Sequence, residues 1–238
     1  RWVWPIFPSA VHAWGDVTMS MAVVGIIYAS LIAIQQDDLK RLVAYSSIAH
    51  MGLMVMAVFS ENSTAMNGVM MQMFNHGINI IGLWIVVELI EKQFGTRKLS
   101  QLGGIAQKAP VLTALLVIVA LANVALPLTN GFIGEFLMFN GIWNALTDYK
   151  IIFTVFAVIA IILSAVYTLN MIQKIFFGNT NTLTATTRDI FINERMMLGV
   201  LVIVIVVLGV YPQPLLNLGN SFVEGLMKTV NITNLTIR

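Results

Sequence analysis

Long apolar stretches alternate with short polar ones along almost the whole chain. At 1.5 Å per residue, a helix of about 20 apolar residues crosses the roughly 30 Å hydrocarbon core of a bilayer. Six stretches reach that length, at about 17–34, 43–60, 65–90, 111–146, 151–177 and 196–216. The pattern therefore predicts an all-α fold, a polytopic transmembrane helix bundle forming a single transmembrane domain over 1–238.

The fourth stretch is too long for one plain helix and is interrupted at Pro127, shortly before Asn130 and Gly131. Proline lacks a backbone N–H and glycine loosens the turn. We expect a discontinuous helix with its break near 127–131 and its halves at about 111–126 and 132–146. Backbone groups freed by such a break are tolerated in a membrane only against protein or water, so the break predicts a buried, hydrated site.

The remaining segments complete the expected topology. Residues 1–8 are apolar and aromatic, as in the tail of an earlier helix, and the chain begins without methionine, as in a fragment of a longer protein. Residues 178–195 are polar and predict a loop. The tail from about 219 has one apolar side, which predicts a short interfacial helix.

Composition excludes several classes of protein. The chain is 58% hydrophobic and 10% charged, with mean hydropathy +0.86, whereas soluble domains are roughly one-quarter charged. A net charge of +2 does not favour nucleic acid as a partner. The chain has no cysteine for an iron–sulfur cluster or thiolate metal site, and no phosphate-binding loop or nucleophile elbow. We expect an integral membrane protein in contact with the lipid bilayer, with neither a metal site nor a redox centre of its own.

Glu135 is the strongest functional candidate. A charge at bilayer depth costs several kcal/mol, so an ionisable residue there is a functional candidate by default. Glu135 lies inside the fourth apolar stretch, just beyond the predicted break. Low dielectric disfavours the charged form of a carboxyl group, which suits Glu135 to taking up and releasing a proton. The alternative is a permanently protonated glutamate that is hydrogen-bonded between helices.

Two histidines lie in the middle of predicted spanning helices, His50 in the second and His76 in the third. Histidine has an unperturbed pKa near 6.5 and two ring nitrogens, so it can pass a proton along a chain. Together with Glu135 they predict a proton pathway. Metal binding is not expected, since no third ligand clusters with them. The alternative for each histidine is a neutral ring bonded to a facing helix.

Four further polar residues are candidates for the same pathway. Tyr45 and Ser46 lie one helical turn before His50, and Asn130 lies in the predicted break. Lys174 lies near the end of the fifth helix, where it is either a snorkelling anchor or a terminal proton carrier.

Three segments carry a family resemblance. They are DDLKRLVAYSSIAHMG (37–52), NHGINIIGLWIVVELIEKQFGTRKLSQLGG (75–104) and LANVALPLTNGFIGEF (121–136). In this order they resemble the proton-pumping, antiporter-like subunits of respiratory complex I, NADH–quinone oxidoreductase. Within that group, His50 and Glu135 are similar to the subunit M branch, the mitochondrial chain 4, since the L and N branches carry glutamine and lysine at these positions. The resemblance covers essentially the whole chain.

The resemblance implies an antiporter-like fold, of which this chain is the second five-helix inverted repeat together with a last helix. It implies a translocase subunit that couples quinone reduction to proton transfer across the membrane. NADH, FMN, iron–sulfur clusters and quinone would be held by partner subunits, and no cofactor by this chain. The glutamate at the Glu135 position would control the outward half-channel, and His50 and His76 would belong to the polar axis.

The implied partners are other membrane subunits, and the expected location is the bacterial inner membrane, with the mitochondrial inner membrane as the alternative. Two other functions share this fold: a subunit of a multi-subunit cation/proton antiporter, and the membrane arm of a hydrogenase-type complex. Partner subunits would separate them.

Overall fold

Helices make up most of the molecule. The computed structural model describes residues 3–185 and 187–236. The α-helices of these residues are α1 (Val3–Ile6), α2 (Pro8–Gln35), α3 (Leu39–Val58), α4 (Ser63–Phe94), α5 (Pro110–Asn123), α6 (Asn130–Trp143), α7 (Lys150–Phe176), α8 (Ile192–Val210) and α9 (Gln213–Thr236). Over the described ranges there is no β-strand, only one isolated bridge between two loops, and the predicted all-α fold class is confirmed.

Five of these helices are long and apolar enough to cross a membrane: α2, α3, α4, α7 and α8. Helices α5 and α6 have 14 residues each and are too short to do so alone. They follow one another across residues 124–129, so they form the two halves of a discontinuous helix. The predicted break is confirmed. It begins three residues before Pro127, since α5 ends at Asn123.

The two ends of the bundle differ from the predicted helix bounds. Helix α2 begins at Pro8, not near 17, because proline is favoured in the first helical turn and the helix extends past its apolar run. The predicted tail of an earlier helix over 1–8 contains the four-residue α1 and the start of α2, while residues 1 and 2 lie outside the described part.

The sixth helix ends at Val210, so its predicted continuation to 216 is wrong. Pro212 lacks the backbone N–H that would continue it. A new helix, α9, begins at Gln213 and has 24 residues, which is earlier and longer than the predicted helix from about 219. Val223 and Leu226 of α9 are buried in a cluster with Trp4 and Met66, so α9 packs on the bundle.

Small residues bring α4 and α6 close together. A Cβ atom added at Gly134 of α6 would meet the side chain of Gln72, and one added at Gly141 would meet Ala65. Gly68 of α4 lies equally close to the backbone of α6. Membrane helices pack closely through such residues, because lipid offers no hydrophobic driving force between helices. The approach places Glu135, next to Gly134, against α4.

Two apolar clusters fill the two ends of the bundle. One contains the first turns of α3, the second half of α4, α5 and the second half of α7. The other contains the last turns of α3, the start of α4, α6 and the first half of α7. Most of the buried polar side chains of these helices lie between the clusters, near the middle of the bundle: Ser46, His50, Gln72, Asn75, His76, Asn79, Asn123, Asn130, Glu135 and Ser164. The bundle therefore contains a polar layer midway along its helices.

A clasp outside the bundle joins the turn before α3 to the loop after α4. Asp38 caps α3 by accepting a hydrogen bond from the backbone N–H of Arg41, and it forms an ion pair with Arg97. Asp37 accepts hydrogen bonds from the backbone N–H and the hydroxyl group of Ser100. These contacts fix the start of α3 next to the end of α4.

Candidate functional site

The break between α5 and α6 is a tight backbone turn. Ala125 and Leu128 have φ angles of 57° and 74°, in the left-handed region that few non-glycine residues adopt. Gly131, in the first turn of α6, lies against the carbonyl oxygen of Ala122, where a Cβ atom would clash. The residues of the turn bond some of the last carbonyl groups of α5, as the N–H of Ala125 does that of Ala122 at 3.1 Å, but the helix does not continue past them.

Side chains from two other helices bond these carbonyl groups. The amide of Asn79 on α4 donates to the carbonyl oxygen of Ala122 at 3.1 Å. The Nε2 atom of His50 on α3 lies 2.9 Å from the carbonyl oxygen of Asn123. An unbonded carbonyl group at membrane depth would cost several kcal/mol, so the contact of His50 with Asn123 stabilises the broken helix, while Asn79 adds a second donor to Ala122.

The start of α6 is joined to α4 by a reciprocal pair of hydrogen bonds. The side-chain amide of Asn75 donates to the backbone carbonyl of Asn130 at 2.7 Å, and that of Asn130 donates to the backbone carbonyl of Asn75 at 3.4 Å. Both residues are fully buried. The predicted site residue Asn130 thus orients the half-helix that carries Glu135.

Glu135 lies in the polar layer and is 5% exposed. Its Oε1 atom lies 3.6 Å from Nε2 of His50 and accepts a hydrogen bond of 3.4 Å from the amide of Gln72. Among the described residues, no lysine or arginine forms an ion pair with it. A buried carboxylate is costly unless it is paired, and the ring of His50 is the basic group that contacts Glu135.

His50 has an acceptor at each ring nitrogen. Nδ1 lies 2.8 Å from the carbonyl oxygen of Ser46, and Nε2 lies 2.9 Å from that of Asn123. A neutral imidazole has one N–H group and can donate to only one of them, whereas the protonated ring donates to both. The surroundings of His50 thus offer a partner to both nitrogens of the charged ring, but to only one nitrogen of the neutral ring.

His76 continues the row of titratable groups. Its ring centroid lies 5.1 Å from that of His50, and its Nε2 atom lies 3.2 Å from the hydroxyl oxygen of Ser47. Glu135, His50 and His76, predicted from separate helices, therefore lie next to one another in this order. The structure brings these three residues together at the helix break.

Of the other predicted residues, Ser46 lies in the site, whereas Tyr45 and Lys174 lie outside it. Ser46 belongs to the site through its carbonyl group, while its hydroxyl donates to the carbonyl oxygen of Val43. Tyr45 is half-buried and packs against the apolar cluster at one end of the bundle. Lys174 is exposed in the last turn of α7, about 15 Å along the helix from Ser164 by the rise per residue. Tyr45 and Lys174 are not brought to Glu135.

Three buried residues of the site do not feature in the sequence reasoning: Gln72 on α4, and Ser164 and Tyr167 on α7. Ser164 and Tyr167 line a small cavity together with His50 and Glu135. The sequence offers little reason to select Ser164 or Tyr167, because hydroxyl groups are common in membrane helices and cost little free energy there. Within the described ranges, no three His, Asp or Glu side chains approach one another as metal ligands would.

Spanning helices, one of them broken beside a buried acid, are typical of the membrane bundles of transporter folds. A family model described as "NADH:quinone oxidoreductase/Mrp antiporter, TM" matches residues 2–164, and the chain belongs to this family. The membership confirms the predicted resemblance and the integral membrane location.

Curated relatives and solved structures agree with this membership. NADH-quinone oxidoreductase subunit M of Rickettsia prowazekii is 35% identical over 94% of this chain, and that of Escherichia coli is 31% identical over 96%. The chain spans about 45% of the length of these relatives.

Respiratory complex I from Thermus thermophilus contains a chain that matches with a TM-score of 0.88 and 26% identity, covering 97% of this chain and 48% of that one. A chain of the Mrp complex from Dietzia matches in fold with a TM-score of 0.84 at 17% identity, covering 96% of this chain and 51% of that one. The predicted antiporter-like fold is confirmed.

Proposed function

We propose that this chain is part of a proton-translocating membrane subunit of an NADH–quinone oxidoreductase, in which it helps to couple quinone reduction to proton transfer across the membrane. The proposal is supported by relatives named subunit M that are 31–36% identical over 94–96% of the chain. The observation that carries it is the contact of 3.6 Å between Glu135 and His50 in the buried polar layer. Partner subunits would hold NADH, FMN, the iron–sulfur clusters and quinone, in a bacterial inner membrane.

Glu135 and His50 share one proton in this proposal. When the proton is on Glu135, both groups are neutral. When it moves to His50, the ring donates to the carbonyl oxygens of Ser46 and Asn123, and the carboxylate faces a positive ring. A charge that changes elsewhere in the complex shifts this balance, because electrostatic interactions are strong in a low dielectric. The pair can thus respond to quinone reduction at a distance.

His76 extends the pathway away from Glu135. Its ring lies beside that of His50, and the hydroxyl of Ser47 is the next polar group in contact with it. An imidazole ring can gain a proton at one nitrogen and lose one at the other. It can therefore transfer a positive charge while the side chain stays in place. The row of Glu135, His50 and His76 therefore runs from the broken helix into the space between α3 and α4.

The test is Glu135→Gln in the complete complex, reconstituted into vesicles. Glutamine keeps the size and hydrogen-bonding capacity of the side chain but binds no exchangeable proton. We expect proton translocation to be largely abolished and coupled turnover to be slow. Glu224→Gln is the matched control, because Glu224 is an exposed acid on α9, and it should pump normally. Wild-type pumping by the Glu135→Gln complex would refute the proposal.

A subunit of a multi-subunit cation/proton antiporter is the second candidate. The family includes Mrp antiporters, and the Dietzia chain shares the fold. The first candidate is favoured because the relatives named subunit M are closer in sequence. Purification of the intact complex decides between them: NADH-dependent quinone reduction supports the first, and sodium-dependent proton exchange without it supports the second.

A further inference from the structure

A small cavity lies on the side of Glu135 that faces α7. Its volume is about 20 Å³, and its polar lining consists of Glu135, His50, Ser164 and Tyr167. The other lining residues are apolar: Ala49, Leu53, Ala160 and Ile161. A water molecule needs about 10–15 Å³ of such volume and two to four polar partners. The cavity meets both conditions for one water molecule.

The two hydroxyl groups of α7 form a directed pair. Tyr167 is 1% exposed, and its hydroxyl donates to the hydroxyl oxygen of Ser164 at 3.2 Å. Because the Ser164 oxygen accepts from Tyr167, the hydrogen atom of Ser164 is left to donate into the cavity.

One oxygen of the Glu135 carboxyl group has no hydrogen-bond donor among the described residues. The Oε1 atom is the one that contacts Gln72 and His50. Among the described residues, no donor contacts Oε2. Protein contacts therefore involve one oxygen of the carboxyl group, Oε1. Glu135 also lines the cavity, so a water molecule there could contact its carboxyl group.

We propose that a single water molecule binds in this cavity and links Ser164 to Glu135. The donors then run in one direction, from Tyr167 to Ser164, from Ser164 to the water, and from the water to the carboxylate. Such a chain stabilises the ionised form of Glu135, since each donor polarises the next. Ser164 and Tyr167 are positioning residues for this water. The inference rests on the proposed function and adds a second control of the Glu135 proton, through the hydroxyl groups of α7.

Infrared difference spectroscopy of the complete complex tests the inference directly. The band of the protonated carboxyl group is assigned to Glu135 by its loss in Glu135→Gln. In Tyr167→Phe and Ser164→Ala, the donor chain is shortened, and the band should persist to a pH about one unit higher, a tenfold change in ionisation. Both variants should also translocate severalfold fewer protons per electron than the wild type.

Ala160→Val tests the water without removing any polar group, because the larger side chain fills the cavity that Ala160 lines. It should shift the band in the same direction as Tyr167→Phe. Thr168→Val is the matched control: it removes a buried hydroxyl from the same helix, but Thr168 does not line the cavity. This variant should leave the band and the pumping unchanged.

The outcomes separate this inference from the proposed function. If Glu135→Gln abolishes pumping while Tyr167→Phe and Ser164→Ala keep the wild-type band and proton ratio, the water site is wrong and the function stands. If Glu135→Gln itself pumps normally, the function fails. Should the Ala160→Val complex not assemble, Tyr167→Phe decides, since it removes a single oxygen atom.

Discussion

The Nε2 atom of His50 lies 2.9 Å from the carbonyl oxygen of Asn123, the last residue of the half-helix α5. The same nitrogen lies 3.6 Å from the carboxyl group of Glu135, on the half-helix that follows. One side chain thus stabilises the end of the first half-helix and contacts the acid of the second. The break and the acid are parts of one site, since both depend on His50.

Replacement of His50 should separate these two roles. His50→Ala leaves the carbonyl group of Asn123 buried without its donor, which costs about 1–3 kcal/mol, and it removes the proton acceptor beside Glu135. We expect a lower apparent melting temperature of the purified complex and severalfold weaker pumping. His50→Gln retains an amide donor, so it should recover most of the stability but little of the pumping. A His50→Gln complex that pumps like the wild type would reduce His50 to a structural role.

His76→Ala should reduce pumping partially and have a smaller effect on stability. The contacts of His76 with polar groups are fewer than those of His50, because among the described residues only the hydroxyl of Ser47 lies within hydrogen-bonding distance of its ring. Pumping in vesicles is measured for His76→Ala, His50→Ala and the double variant. If the two rings act in one pathway, the double variant should be little worse than His50→Ala alone. Two silent single variants would show that both histidines serve packing.

Asn75→Leu should destabilise the junction between α4 and α6. The leucine is similar in size but removes the 2.7 Å hydrogen bond to the backbone carbonyl of Asn130, at a cost of about 0.5–1.5 kcal/mol. The apparent melting temperature of the complex reports this loss. Asn140→Leu is the same change at an exposed position of α6, and we expect less than about 0.5 kcal/mol there. Equal effects at both positions would contradict the role assigned to the Asn75 amide.

Gly141→Ala should force α4 and α6 apart, because the added Cβ atom would meet Ala65. Overpacking of this kind costs about 1–3 kcal/mol, and it should weaken pumping by moving Glu135 away from Gln72. Gly77→Ala is the control, since a Cβ atom there would meet nothing within 4 Å. Alanine is the better helix former, so Gly77→Ala should be neutral or more stable by up to about 1 kcal/mol. Thermal denaturation of the complex compares the two, and an unchanged Gly141→Ala would contradict the close approach.

The clasp at Asp38 should depend on pH. Burial raises the pKa of Asp38, but the backbone N–H of Arg41 and the guanidinium group of Arg97 lower it by more, so the pKa lies below the ordinary 3.8. A lowered pKa contributes stability that is present above the unfolded pKa and is lost as the pH falls through the folded pKa. Amide hydrogen exchange in the first turn of α3 should therefore be slow at neutral pH and accelerate, relative to intrinsic rates, in acid below about pH 3.8.

Two variants of Asp38 isolate the charge from the helix cap. Asp38→Asn keeps a capping oxygen but loses the ion pair with Arg97, so it should exchange faster than the wild type at pH 7 and equally fast in acid. Asp38→Ala loses both interactions and should exchange faster at every pH. If Asp38→Asn and the wild type exchange alike at pH 7, the ion pair does not stabilise the clasp.

Much of the bundle could be predicted from hydropathy, but the ends of its helices could not. Pro127 indicated the discontinuous helix correctly, since a proline inside an apolar run has few other structural outcomes. Pro212 likewise marks the end of the sixth helix, which hydropathy alone extends to 216. The start of α2 was missed because helix bounds outside the membrane depend on polar residues that hydropathy ignores.

The candidate site was predicted in part. Glu135, His50 and His76 stand out because each is costly in an apolar run, whereas Ser164 and Tyr167 are too common in membrane helices to stand out. Lys174 is as ionisable as the others, yet it lies at an exposed helix end. Burial separates these cases, and burial depends on which helices pack around a position.

The sequence alone determined that the chain spans a membrane, that one helix is broken and that a few ionisable residues lie at membrane depth, because these properties depend on composition over about 20 consecutive residues. Which polar side chains meet depends on the packing of helices that are distant in sequence. His50 bonds a carbonyl group 73 residues away, and Gln72 bonds Glu135 across 63 residues. Membrane helices are apolar on nearly every side, so their periodicity does not indicate which side faces the bundle. Packing between distant helices supplies that information.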